Sequence, residues 1–256
     1  MAPTPARFVI FAAPRTGSNL LCSLLNAHPD ILCHHGLFNP LGIHGARNGR
    51  DWSGVLGTVA DRNSHPRAFL RRVWAAVERE RAVGFKMNRG EDAFAVDELL
   101  RDDRVRKILL KRRNRVRTYV SEILAQLTGF WESYGEPDGA PLPVIHVDPL
   151  ALRRHADKNA TYYAALESVL SATGQAWLET HYESLGDRSE IGRILSFLQV
   201  PAGPPLRAAC HKRGPSDLET VVANMIDLAD ALRDTPLFGD LHQRDMSDLH
   251  LPQPTP

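Results

Sequence analysis

Six consecutive residues, Pro14-Arg15-Thr16-Gly17-Ser18-Asn19, put a cation, two hydroxyls, an amide and one glycine between an apolar run and a helical pattern. A strand that turns tightly into a helix start points several backbone N–H groups at one spot, beside the positive end of a helix dipole. Such a spot binds phosphate. Arg15 adds a permanent positive charge, and Thr16 and Ser18 add hydroxyl donors. A Walker loop reads G-x-x-x-x-G-K-[ST]. Here Gly17 is the one glycine and no Lys-Ser/Thr pair follows it. The loop has too little backbone to wrap a triphosphate with magnesium, and suits the single 5′-phosphate end of a nucleotide.

Other chemistry-bearing residues read more plainly on their own. Cys33-His34-His35 invites a metal. Adjacent histidines point in different directions, however, and neither C-x-x-C nor H-E-x-x-H occurs, so a structural pair is the simpler reading. The run 111–117 has the composition of a solvated charged face. Ser121, in a helical pattern, would ordinarily make local backbone bonds. Tyr182 reads as a packed strand-end aromatic, Lys86 as a lysine reaching solvent along its stem, and Cys22 as core.

The elements that must position these residues alternate. Residues 8–13 form an unbroken apolar run of the kind a central parallel strand needs. Leu20, Leu21, Leu24 and Leu25 follow at helical spacing, with Ser18 or Asn19 as the expected cap. Residues 31–33 predict a second short strand, and 34–66 a long loop with a short helix. Helical periodicity returns over 66–81, then a strand at 83–87, a helix around 97–100, a strand at 107–111 and a helix over 115–130. A turn-rich segment covers 135–143. Asp148-Pro149 has the form of a helix start, and that helix runs to 170. A strand at 176–182, a helix at 189–198 and a final helix at 218–232 complete the pattern. Residues 1–6 and 251–256 read as disordered tails. Such alternation predicts an α/β fold, a three-layer sandwich around a central parallel sheet. Its ligands sit at the carboxyl ends of strands, where Arg15, Lys86 and Arg113 fall.

At 256 residues, one domain spanning 1–256 is expected. A net charge of +1 argues against general binding to nucleic acid or membrane surfaces. Three cysteines, none in C-x-x-C, argue against a disulfide framework and for a reducing compartment. The run 8–13 is too short for a signal peptide or a membrane span, so a cytoplasmic protein is expected.

Taken together, several stretches resemble the nucleotide-dependent sulfotransferases, in particular the bacterial branch acting on carbohydrates and small metabolites. Residues 13–21 are similar to that branch's 5′-phosphosulfate loop. Arg113 and Ser121, eight residues apart from a strand end into a helix, resemble its 3′-phosphate clamp. Thr180-His181-Tyr182-Glu183-Ser184-Leu185 is similar to the family's strand end near the adenine. Lys212-Arg213 falls where the family closes a basic loop, and Val83-Gly84-Phe85-Lys86-Met87 fits a family strand. The matches keep their order from residue 8 to about 235.

The resemblance implies a P-loop-like fold and 3′-phosphoadenosine 5′-phosphosulfate (PAPS) as donor. It also implies a small-molecule hydroxyl or amine as acceptor, and no metal. Arg15, Thr16, Gly17, Ser18 and Asn19 would face the 5′-phosphosulfate. Arg113 and Ser121 would bind the 3′-phosphate, with Tyr182, Lys212 and Arg213 around the nucleotide. Lys86 would approach the bridge oxygen or the sulfuryl group. The acceptor's base is missing from both usual places: the carbohydrate branch's glutamate position holds Gly36, and the cytosolic branch's histidine position holds Asn88. His35 is the first substitute and His34 the second. Residues 34–66 and the helix 149–170 would shape the acceptor pocket. A small ATP-dependent kinase and a non-catalytic nucleotide-binding member of the fold are the alternatives.

Overall fold

The computed structural model describes residues 4–132, 134, 141–210, 215 and 217–243. Lys212, Arg213, most of the turn-rich segment 135–143 and the tail 251–256 lie outside the described residues.

Strands β1 (Ala6–Ala12), β2 (Ile31–Gly36), β3 (Ala82–Asn88), β4 (Val105–Lys111) and β5 (Trp177–His181) form a five-stranded sheet in the order β2-β3-β1-β4-β5. Every pairing is parallel. Their Val-, Ile-, Leu- and Phe-rich segments are buried on both faces, as parallel strands under helices must be. The carboxyl ends therefore gather at one edge of the molecule.

Helices α1 (Ser18–Asn26), α2 (Ser53–Leu56), α3 (Val59–Ser64), α4 (Pro66–Ala75), α5 (Ala93–Arg101), α6 (Arg115–Thr128) and α7 (Pro149–Ala172) fill the connections. Helices α8 (Arg188–Phe197), α9 (Met225–Leu232) and α10 (Phe238–His242) follow β5. Side-chain alternation divides the core between two faces. Val9, Phe11, Val83, Phe85 and Leu109 pack against α4, α5 and α7. Phe8, Ile10, Ile108 and Leu110 pack against α1 and α8. This is the expected three-layer sandwich. A third cluster, with Val116, Val120, Leu152, Leu228 and Leu241, joins α6 and α7 to α9 and α10.

Several boundaries differ from the sequence reading. His34–Gly36 are strand rather than loop, because β2 pairs with β3 out to Gly36↔Lys86. The helix expected to reach residue 81 ends at Ala75. Beyond it Arg50 holds Glu78 and Glu80, and the Arg81 amide donates to the Asp30 carbonyl as the chain enters β3. The single helix expected at 218–232 is broken. A 3₁₀ turn at Leu218–Thr220 gives way to a parallel bridge between Ile145 and Val222. Asn224 then bonds both backbone groups of Val147, and only after it does α9 begin. The run 111–117 is not a solvated face. Lys111 pairs with Glu167 and Glu179, Arg115 with Asp240, and Arg117 is buried against the Pro215 and Gln243 carbonyls.

Candidate functional site

The loop after β1 takes two left-handed residues in three: Arg15 at φ 63° and Gly17 at φ 89°. The first is rare for a side chain-bearing residue and the second natural for glycine. Gly17 has a further constraint, because a Cβ there would stand 2.4 Å from Cδ2 of Tyr182. Tyr182, just past β5, therefore packs its ring directly on the loop. Gly17 is itself the cap of α1, and no side chain caps that helix, so neither Ser18 nor Asn19 does so. The N–H groups of its first turn are left for another acceptor.

Tyr163 of α7 holds the loop from beneath. Its hydroxyl accepts from the Ala13 amide at 2.8 Å and donates to the Leu110 carbonyl at 2.5 Å. The ends of β1 and β4 are thereby tied to one phenol. Thr16 spends its hydroxyl proton on the Ala13 carbonyl at 2.7 Å, closing the turn on itself. That hydroxyl shapes the loop.

Arg15 reaches across to α6. Its Nε donates to Ser121 Oγ at 2.9 Å, and its Nη1 to the Trp131 carbonyl. Burial, then the neighbouring Arg112, pushes its pKa down from the ordinary guanidinium value. Arg112 lies 4.5 Å over the Tyr182 ring and donates to the Arg15 carbonyl at 3.3 Å. Arg113 is exposed, two residues past the end of β4. Its amide and that of Asn114 are held at 3.0–3.2 Å by the Glu183 carboxylate, while the Asn114 side chain caps α6. Ser121 sits two turns into that helix, so Arg15, Arg112 and Ser121 meet from the ends of two strands, β1 and β4.

Across the loop, Lys86 lies in β3 between Ile10 of β1 and Gly36 of β2. Ser18 Oγ meets Asn88 Oδ1 at 3.5 Å, and Asn88 Nδ2 donates to Glu91 Oε1 at 3.1 Å. His35 is buried on this same side. Its Nδ1 meets Asn19 Oδ1 at 3.4 Å and its Nε2 meets the Tyr134 hydroxyl at 3.2 Å. Burial, with Lys86, Arg47 and the histidines 34 and 44, pushes His35 down to about 3. His34 points to the opposite face of β2, edge-on to Trp52 at 4.7 Å, and accepts from the Ala46 amide. Burial and Arg50 push it down to about 4. Among the described residues, no group of three or more His, Cys, Asp and Glu could hold a metal ion.

A second polar wall lies on α7. Arg89 donates to Asn159 at 2.9 Å, and His155 Nε2 meets Glu122 at 3.1 Å, one residue past Ser121. The buried Tyr162 hydroxyl and His155 Nδ1 have no hydrogen-bond partner among the described residues.

The structure thus brings Arg15, Thr16, Gly17, Ser18, Asn19, Lys86, Ser121 and Tyr182 to the carboxyl-end side of the sheet, with Arg113 exposed just past β4. Arg112 and Glu91 did not stand out in the sequence, and Glu183 did so only as part of the motif 180–185. Arg112 was hidden in a run of like charges, and Glu91 in a loop whose only signal is its place just past a strand end.

No protein-family model matches the chain. It is 32% identical to nodulation protein H of Rhizobium meliloti (strain 1021) over 204 residues, 77% of this chain and 79% of that protein. It is 27% identical to nodulation protein H of Rhizobium tropici over 230 residues, 88% of this chain and 89% of the other. Among solved structures, the sulfotransferase domain from the curacin biosynthetic pathway superposes with a TM-score of 0.49 at 17% identity, covering 78% of this chain and 76% of that one.

Proposed function

The chain belongs to the PAPS-dependent sulfotransferases, and we propose that the crevice around Arg15 holds the donor's 5′-phosphosulfate while Arg113 and Ser121 receive its 3′-phosphate. The enzyme moves a sulfuryl group from PAPS to a small-molecule acceptor, and its relatives do not favour the kinase or non-catalytic alternatives.

The observation that carries the assignment is the Arg15–Ser121 bond, which joins two motifs 106 residues apart. Sulfuryl transfer builds charge on the transferred oxygens and on the bridge oxygen of the leaving phosphate. Fixed cations and N–H donors around those atoms stabilise it. As in phosphoryl transfer, positioning and electrostatics do most of the work. The uncapped start of α1, the loop N–H groups and Arg15 suit the 5′-phosphosulfate, and Lys86 suits the bridge oxygen. Arg112 joins this group as a cation stacked on Tyr182.

The acceptor pocket lies between β2, β3 and α7. The wall of Arg89, Asn159, His155 and Tyr162 favours a hydroxyl-rich acceptor such as a sugar or glycolipid headgroup. Unpaired Cys22, Cys33 and Cys210 fit a cytoplasmic setting. Among the described residues, no helix is long and apolar enough to cross a membrane.

Calorimetric titration with 3′,5′-bisphosphoadenosine (PAP), with AMP and magnesium-ATP as controls, tests the donor site. Micromolar binding that requires the 3′-phosphate and weakens at least tenfold in Arg113→Ala is expected. Equal binding of AMP would overturn the assignment of Arg113 and Ser121.

A further inference from the structure

We propose that Glu91 is the catalytic base of the transfer, and that the acceptor it serves is an aliphatic hydroxyl. This rests on the donor site described above. The carboxylate stands beside Gly36: a Cβ at that glycine would lie 3.7 Å from Glu91 Oε1. Gly36 is the register partner of Lys86. A carboxylate carried by the β3–α5 connection therefore borders, with Asn39 and His44, the space that a side chain at Gly36 would enter, beside the strand position paired with the lysine of the transfer site.

Glu91 is also fixed and incompletely used. Asn88 holds Oε1 and is itself in contact with Ser18 at the start of α1, so two side-chain contacts connect the carboxylate to the donor loop. Oε2 is buried and has no hydrogen-bond partner among the described residues. A buried carboxylate oxygen left unmet costs free energy unless a ligand supplies the donor. An acceptor hydroxyl is such a donor. His35 competes poorly for this role, because both of its ring nitrogens already have neighbours within 3.4 Å.

The step balances within the two substrates. The acceptor oxygen forms a bond to sulfur as the bond from sulfur to the 5′-phosphate bridge oxygen breaks. The electron pair of that bond leaves with PAP, and the acceptor's proton passes to Glu91 Oε2. Burial raises the pKa of Glu91 above the ordinary carboxylate value, against the lowering pull of Lys86, Asn88 and Arg62, which makes it a better proton acceptor. The groups facing it are Lys86 of β3, Arg62 of α3, Tyr162 of α7, and Arg89 and Asp92 on either side in its own loop, with His44 across Gly36. An aliphatic alcohol needs such a base, whereas a nitrophenol that is already partly ionised at neutral pH does not.

Steady-state transfer from PAPS to octyl β-D-glucoside and to p-nitrophenol, compared in wild type and Glu91→Gln, separates the outcomes. The amide keeps the Asn88 bond but cannot take a proton. For the glucoside, kcat/KM is expected to fall at least about 100-fold, and for p-nitrophenol less than about 10-fold. PAP affinity should stay within twofold, and the acidic limb of the pH profile should vanish with the base. Equal losses on both acceptors, a Glu91→Gln enzyme within threefold of wild type on the glucoside, or an acidic limb that survives in Glu91→Gln and vanishes in His35→Asn would overturn the proposal. So would wild-type transfer to p-nitrophenol alone, or to neither acceptor while PAP still binds. Failure of wild type to bind PAP would instead remove the donor-site reading beneath it.

Discussion

Gly17 meets two demands at one position: a left-handed backbone, and a ring pressed where a Cβ would be. Either alone disfavours another residue, and together they leave no small adjustment, because Tyr182 is itself buried beneath Arg112. Gly17→Ala is therefore expected to displace Tyr182 and distort the loop, weakening PAP binding more than tenfold in a calorimetric titration. Unchanged affinity would show that the loop does not hold the nucleotide. At this scale the sequence was legible wherever a local rule applied. A glycine between strand and helix signals a turn, and an arginine in that turn signals an anion. Contacts made between strand ends obey no local rule. Arg112 looks like its neighbours until β5 brings Tyr182 beneath it, and Glu91 looks like loop until β2 ends beside it. Thr16 departs for a different, local reason: its hydroxyl closes its own turn on the Ala13 carbonyl, where spacing alone offered it to a ligand.

Helix α7 does more than cover the sheet. Through the Tyr163 hydroxyl it gives a partner to one backbone amide at the end of β1 and one carbonyl at the end of β4. Tyr163→Phe keeps the ring and its packing but leaves both buried groups unmet, a loss of about 2–4 kcal/mol. Melting temperature is expected to fall by roughly 4–16 °C for a chain of this size. PAP affinity should fall as well, since the loop's N–H groups lose their foundation. A variant that melts like wild type would show that the bonds are replaced by water. The succession of strands and helices along the chain and the start of α7 were legible, because apolar runs, helical spacing and Asp148-Pro149 are local signals. The break inside 218–232 was not. Its apolar residues repeat at helical spacing, yet Ile145 takes the Val221 carbonyl and the Ala223 amide into a bridge, and the Asn224 side chain bonds the backbone of Val147, each seventy-odd residues away in sequence. The charged run 111–117 failed for the same reason, since its acidic partners come from α7, β5 and α10.

For the molecule as a whole, the two histidines of β2 set a pH dependence that the near-neutral net charge would not suggest. His34 and His35 are buried as neutral rings, held down to about 4 and about 3 against an ordinary value of 6.5. Below pH 6.5 the unfolded chain binds protons at both rings while the folded chain does not. Stability from these groups is therefore complete above pH 6.5 and lost progressively as pH falls toward their folded values. Each histidine removes about 1.4 kcal/mol per pH unit within that window, so the pair removes about 4 kcal/mol by pH 5. Carboxylates held below their ordinary values, such as Glu122, Asp102 and Glu190, also lose stability on acidification, but only as pH falls through the carboxylate range. Between pH 6.5 and 5 the slope thus belongs mainly to histidine, with His181, also lowered by burial, adding to the β2 pair and Glu91, raised by burial, opposing it. Thermal melts at pH 7, 6 and 5 are expected to show a fall on the order of 10 °C. Replacing His34 by Gln, which keeps an acceptor for the Ala46 amide, should remove about half of that slope without touching the donor loop. A wild-type melting temperature flat across this range would mean that the β2 histidines are hydrated, and the sheet edge beside the transfer site open to water.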